Sequence, residues 1–249
     1  MDAVRVAFKI LHGDEKPPPT YQHILCQMIF DVKMEDFRRK ARYVAGGHTT
    51  KAPATLTYAS VVSRETVRIA LTIAALNDLE VKVSDIQNAY LTAPVAELIW
   101  TTLGPEWGPD AGKKALIVRS LYGLKSAGAS FRNHLADCMR HLDYKPCLAD
   151  PDLWYKAEVR PDDGFKYYAY VLLYVDDCMA IGHNPLEVLN QLDKFFTMKK
   201  GSIGDPDIYL GCKVKKMTLP NGVVAWGMSP SKYIQEGGSE LREAFGQTV

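Results

Sequence analysis

The chain has 249 residues, 47% of them hydrophobic and 24% charged, with 30 Lys plus Arg against 29 Asp plus Glu for a net charge of +1. That apolar content is enough to bury a core and excludes global disorder, while the balanced charge gives no support to a strongly basic nucleic-acid binder, so any such role must rest on local clusters. Five cysteines with no C-x-x-C pair and six histidines with no ligand spacing argue against a disulfide framework and a zinc site.

The first residues carry no apolar run that would mark a signal peptide, and no stretch is long enough to span a bilayer. A soluble chain inside the cell, without a membrane partner, is the expectation. Pro17-Pro18-Pro19 marks a loop. Ile24–Val32 is apolar and β-branched enough for a strand, with Arg42–Ala45 as its hairpin partner ending at Gly46-Gly47. Ser63–Asn77 reads as a helix: Ser63 caps it, Glu65 suits its positive end, and Val67, Ala70, Leu71 and Ala74 keep helical spacing.

Leu79–Ile86 then alternates, with Leu79, Val81, Val83 and Asp85 on one strand face. A lone carboxylate buried on that face would be costly, so Asp85 is expected at an open strand end beside a partner. Leu103–Gly112 reads as a loop from its glycines and prolines, and Ala115–Val118 as a short strand. A helix starts at Ala127, with Phe131, Leu135, Cys138, Met139 and Leu142 on one side. Tyr167–Val175 is a β-prone run, followed by Asp176-Asp177 and the apolar Cys178–Gly182. Asn184-Pro185 opens a last helix, with Val188, Leu189, Leu192, Phe195 and Phe196 on its apolar side and Gly201 as its stop. The element order predicts an α+β fold: an antiparallel sheet with helices on one face, split in the ferredoxin-like way.

Two adjacent aspartates at the tip of an apolar hairpin repel one another, and burial sharpens the conflict. A polar β-turn is the plain alternative, but the tight apolar flanks leave no ordinary loop around them. A divalent cation resolves the conflict, since Mg²⁺ takes one or two carboxylates together with substrate phosphates. A second strand ending in Asp85 would add a bridging carboxylate, the arrangement used in two-metal phosphoryl transfer.

At Tyr174-Val175-Asp176-Asp177 the chain resembles the signature of reverse transcriptases, and a longer ordered series resembles the copia-type retrotransposon enzymes. That series runs through Lys40–Ala45, Tyr58–Arg64, Asp85–Leu91, Leu121–Ala127, Phe196–Lys199, Tyr209–Gly211 and Met228–Ile234. It covers nearly all of residues 24 to 235. The resemblance implies a right-hand polymerase whose palm is the ferredoxin-like sheet. Residues 1–80 would form an N-terminal extension and fingers, 81–102 the first palm strand, and 103–125 the return through the fingers. Residues 126–215 would carry the catalytic hairpin and following helix, and 216–249 a primer-grip region and the start of a truncated thumb.

The resemblance further implies templated addition of dNTPs to a primer paired with RNA or DNA. Asp85, Asp176 and Asp177 would hold two Mg²⁺ ions, with Mn²⁺ as an alternative, and the main chain of Ile86 would approach the metal or the triphosphate. Tyr90 would be the gate that excludes a 2′-hydroxyl by clash. Lys40 and Arg42 would meet the triphosphate, unless they are simply a solvated hairpin. Gly123 would allow close approach to base or template, or serve a plain turn. Lys125 would lie near phosphates, and Lys199 would protonate pyrophosphate or sit exposed at a helix end. The chain departs from the family where Gly46, Ser126 and Gly128 replace Arg, Gln and Pro of many members. Association with other parts of a retrotransposon polyprotein and a cytoplasmic (virus-like particle) or nuclear location would follow. A non-catalytic, decayed polymerase fold that binds nucleic acid or protein is the rival reading, and a nucleotide cyclase a weaker one.

Overall fold

Lys166 to Gly182 is apolar and β-prone on both sides of two carboxylates, and it folds as an antiparallel hairpin. The structure is a computed structural model that describes residues 2–33, 37–51, 53 and 57–230. Ser231–Ile234, the end of the expected motif series, therefore lies outside the described residues. In chain order the helices are α1 (Asp2–Arg5), α2 (Arg64–Leu76), α3 (Ala89–Thr92), α4 (Ala127–His141) and α5 (Pro185–Asp193). The first strands are β1 (Phe8–Ile10), β2 (Gln22–His23), β3 (Cys26–Lys33), β4 (Arg38–Ala45), β5 (Glu80–Asp85), β6 (Ile99–Thr102) and β7 (Lys114–Ile117). The remaining strands are β8 (Lys145–Pro146), β9 (Leu153–Val159), β10 (Lys166–Tyr174), β11 (Asp177–Gly182), β12 (Ile208–Tyr209), β13 (Cys212–Thr218) and β14 (Val224–Ser229). No helix among the described residues is long and apolar enough to cross a membrane.

The chain divides into two units, one of residues 1–59 and 88–137, the other of residues 60–87 and 138–249. The second unit is built on an antiparallel sheet in the order β5-β11-β10-β9-β8. Helix α2 forms as its spacing predicts, and the Ser63 side chain accepts the Thr66 N–H at 3.1 Å. Val67, Ala70, Leu71 and Ala74 are buried in one cluster with Val81, Leu172, Met179, Ile181, Tyr209 and Val214. Full burial of side chains of this size contributes about 1.5–3 kcal/mol each for the larger ones. Every residue from Cys178 to Gly182 is buried, so both faces of β11 are covered. The expected sheet with helices on one face is too simple for this strand.

Two boundaries differ from the sequence reading. Helix α5 ends at Asp193 rather than running to Gly201. The Asp193 carboxylate accepts the Met198 N–H at 2.8 Å, and the chain then pairs with the extension of β5, Gln87 N–H donating to Thr197 O and Lys199 N–H to Asp85 O. Long-range backbone pairing here outcompetes helix propagation. Strand β4 begins at Arg38, earlier than its apolar residues suggest, because its whole basic length pairs with β3.

The first unit has a mixed sheet in the order β1-β7-β6-β2, in which only the β2–β6 pair is parallel among the described residues. Its core gathers around Trp107, which is buried. Trp107 stands edge-on to Phe8, with ring centroids 4.9 Å apart, and its Nε1–H donates to the Tyr43 hydroxyl at 3.0 Å. It sits in the segment expected as a loop, which is in fact a 3₁₀ turn over Pro105–Asp110, kinked at Gly108. Burial of the indole orders this glycine-rich stretch.

Beside that core, two glycines let backbones touch. A Cβ on Gly47 would lie 2.1 Å from the Gly123 carbonyl oxygen. A Cβ on Gly123 would lie 2.2 Å from the Ala45 oxygen, and Gly123 has φ +90°. Gly123→Ala therefore meets both a clash and a disfavoured dihedral. Denaturant unfolding is expected to show a loss of about 2–4 kcal/mol; an unchanged midpoint would contradict this contact.

Candidate active site

β10 and β11 are joined by only two residues, Val175 and Asp176, since Tyr174 pairs directly with Asp177. In two-residue hairpin loops the first central position needs a positive φ, which glycine adopts most easily. Val175 takes that position with φ +54°. A β-branched residue there is strained by about 1–3 kcal/mol, and such strain persists where the surroundings over-determine the backbone. The result is a tight tip that presents Asp176 and Asp177 with no slack between them.

The neighbouring strand supplies the third carboxylate. In the antiparallel pairing of β11 with β5, Asp177 stands directly opposite Asp85. Residue Asp85 is held by its backbone on two sides: its N–H donates to Ser202 Oγ at 3.1 Å, and its carbonyl accepts the Lys199 N–H at 2.8 Å. The Ile86 N–H donates to the Asp176 carbonyl at 2.8 Å, tying the β5 end to the hairpin tip. Ile86 is itself buried. No local pattern marks Ser202, whose role comes entirely from where residues 198–204 return beside β5.

Two carboxylates directly opposite across strands repel by on the order of 3 kcal/mol at 5 Å and an effective dielectric of 20. Burial, then the charges of Asp176 and Asp85, push the Asp177 carboxyl up to about 6, against the opposing pull of Lys199. The Lys199 ammonium lies 2.5 Å from Asp85 Oδ2. Its side chain is half exposed, so this ion pair is worth little in stability. Among the described residues no group of three or more His, Cys, Asp or Glu is arranged to hold a metal ion by itself. The chemistry of the donor set is a cross-strand carboxylate pair with a third carboxylate beside it, already drawing one cation. It fits an ion that takes one or two carboxylates plus substrate phosphates, and not an all-protein cage.

The other sequence-derived residues belong to the first unit. Lys40 is exposed on β4, opposite Asp31 of β3. Arg42 lies over the Tyr122 ring at 5.9 Å and 3.9 Å from an Asp31 oxygen. Tyr90, in the one-turn α3, stands edge-on to Tyr122 at 4.9 Å and to Phe131 at 6.2 Å. Gly123 makes its close approach to the backbone of β4, as described above. Lys125 Nζ donates to the Thr50 carbonyl at 2.5 Å. Ser126 is fully buried, and both its N–H and its hydroxyl donate to the Glu97 carboxylate, at 3.0 and 2.5 Å. Sequence reasoning missed Glu97, whose buried carboxylate has no local signature.

Residues 15–225 match the family described as reverse transcriptase (RNA-dependent DNA polymerase). The chain is 28% identical over 230 residues to the retrovirus-related Pol polyprotein from transposon TNT 1-94 of Nicotiana tabacum, covering 88% of this chain and 16% of that protein. It is 26% identical over 230 residues to the Pol polyprotein from transposon RE1 of Arabidopsis thaliana, covering 88% of this chain and 15% of that protein. A third relative, from transposon RE2 of Arabidopsis thaliana, is 24% identical over 219 residues, covering 83% of this chain and 14% of that protein. The chain thus spans a small part of the length of the curated relatives it matches.

The raised Asp177 carboxyl has a consequence for stability. Its folded titration point, about 6, lies above the ordinary value. Ionisation is therefore opposed by the fold: the penalty is absent well below pH 4, grows through the window up to about 6, and is complete above it. Asp177→Asn should raise the melting temperature of metal-free protein by about 2–6 °C near pH 8, and by much less near pH 4. Circular-dichroism melts across that range decide it; a gain that did not vary with pH would contradict the electrostatic cause.

Proposed function

The chain belongs to the reverse transcriptase (RNA-dependent DNA polymerase) family, in its copia-type branch, and we propose that it adds deoxynucleotides to a primer 3′-hydroxyl on an RNA or DNA template. One observation carries the reading: Asp85 and Asp177 stand opposite each other beside a strained two-residue tip that holds Asp176. In this reading the five-stranded sheet is the palm of a right-hand polymerase, and the β3–β4 hairpin belongs to its fingers.

Asp85, Asp176 and Asp177, with the Ile86 carbonyl, are the groups that would hold Mg²⁺ or Mn²⁺. When bound, two such ions stabilise charge on the attacking and leaving oxygens of an in-line displacement. The residues themselves bind, orient and move protons. The primer 3′-hydroxyl gives up its proton to solvent as its oxygen forms the new bond to the α-phosphorus, the bond to the bridging oxygen breaks, and pyrophosphate leaves. Lys199 carries its proton at Nζ, and donates it to the departing pyrophosphate. Lys40 and Arg42 supply positive charge for the triphosphate, Arg42 with a guanidinium already oriented over Tyr122. Lys125, tied to Thr50, orders the loop of Gly123 and adds charge near phosphates. Tyr90 is the gate against a 2′-hydroxyl, its ring held by Tyr122 and Phe131. Other segments of a longer Pol-type polyprotein are the natural associates, in a cytoplasmic particle or the nucleus.

Primer extension on poly(rA)–oligo(dT) with dTTP and Mg²⁺ tests the proposal. Asp176→Asn should lower the rate by about 10³-fold or more, equivalent to at least 4 kcal/mol of transition-state stabilisation, with the fold intact. Extension by the variant at the wild-type rate would sink the assignment, and a well-folded wild type without extension would favour a binding module instead. Tyr90→Ala should extend with ribonucleotides that the wild type rejects; unchanged sugar discrimination would remove the gate role.

A further inference from the structure

Two carboxylates of the second unit lie outside the cluster just described and are nearly inaccessible. Asp150 is 8% exposed and Asp152 is 2% exposed, in the turn that leads from β8 into β9. Buried carboxylates are costly unless they are hydrogen-bonded, and both are. Asp150 Oδ2 accepts the Ser63 N–H at 2.9 Å and the Thr66 hydroxyl at 2.6 Å, and its Oδ1 accepts the Asp152 N–H at 3.2 Å. Burial alone would raise the Asp150 carboxyl, but the hydrogen bonds from Ser63, Thr66 and Asp152 hold it below its ordinary value.

Asp152 does more than close this turn. Its side chain accepts the Ser60 hydroxyl in a short hydrogen bond. Its carbonyl accepts the Leu173 N–H at 3.0 Å, and the Leu173 carbonyl in turn accepts the Val62 N–H at 3.0 Å. The bonds close a ring through three segments: Ser60–Val62, Asp152 and Leu173. Leu173 is the last-but-one residue of β10 and pairs with Cys178, so the ring grips the hairpin one residue short of the Tyr174–Asp177 pair. Beyond it lies the strained Val175, whose dihedral must be imposed from outside. The Asp176 carbonyl that follows receives the Ile86 N–H.

We infer that Asp152, clamped by Ser60 and by Asp150, is a positioning residue that sets the carboxylate hairpin through Leu173. It touches no reacting atom. It fixes where β10 ends, and so where Asp176 and Asp177 stand relative to Asp85. The inference rests on the polymerase reading only for its kinetic consequence; the mechanical consequence stands apart from it.

The test compares the full chain with Ser60→Ala, Asp152→Ala and Asp152→Asn. The amide of Asp152→Asn keeps an oxygen that accepts from Ser60 and serves as the conservative rescue. Ser60 is only partly buried, so its variant folds even if Asp152→Ala does not. Single-turnover dTTP incorporation on poly(rA)–oligo(dT) with Mg²⁺ should slow by about tenfold in Ser60→Ala and Asp152→Ala, with KM for dTTP unchanged and Asp152→Asn close to wild type. Hydrogen exchange, read without substrate or metal, should quicken at Leu173, Asp177 and Ile86 in Ser60→Ala, and stay unchanged on β13 and β14. Wild-type rate and unchanged exchange in Ser60→Ala would overturn the inference while leaving the polymerase reading intact. If the wild type does not extend primers, that reading fails, and the exchange at Ile86 decides the positioning role alone: faster exchange supports it, unchanged exchange overturns it.

Discussion

The pairing of β5 with β11 is the constraint on which the candidate site depends. It sets Asp85 directly opposite Asp177, and the register allows no compromise, because a shift by one residue would turn every side chain to the other face. Val81, Met179 and Ile181 are buried on the face that carries the two aspartates. Their burial holds the register, and the register holds the carboxylates against their repulsion. A stabilising apolar seam thus maintains an unfavourable charged pair at its end, which is the kind of arrangement a bound cation relieves.

The backbone around this pair is bonded from several segments. Asp85 is held from residues 199 and 202, Ile86 from Asp176, and Gln87 from Thr197. The early end of α5 belongs to the same logic, since the residues that would have extended the helix are needed beside β5. On the opposite flank, the Asp150–Asp152 turn caps α2 and grips β10. The hairpin tip is therefore fixed from both sides by hydrogen bonds from segments distant in the chain. That over-determination is what allows a valine to remain at a positive φ.

The first unit solves a different problem, that of bringing loops together where side chains leave no room. Gly47 and Gly123 permit direct backbone contact, and Lys125 and Ser126 then anchor the following turn to Thr50 and Glu97. Gly123 and Lys125 read in the sequence as candidates for contact with nucleotide or template, while Ser126 stands where many family members carry Gln. Their partners in the structure are internal, so the loop is held rigid before any ligand arrives. Ser126 is closed off by Glu97, which accounts for a small residue at that place.

The sequence by itself determined the local elements and the family. The strand–Asp–Asp–strand pattern, the capped α2 and the ordered motif series all rest on side-chain periodicity and short-range turn chemistry, which act between residues a few positions apart. The tertiary structure alone decided that Asp177 faces Asp85, that α5 stops at Asp193, that Trp107 turns an apparent loop into core, and that Glu97, Ser202, Asp150 and Asp152 find their partners. These outcomes come from hydrogen bonds and burial between segments distant in the chain. No residue carries a local mark of the group it will meet, so the carboxylates could be named from the sequence, but the interactions that hold them in place could not.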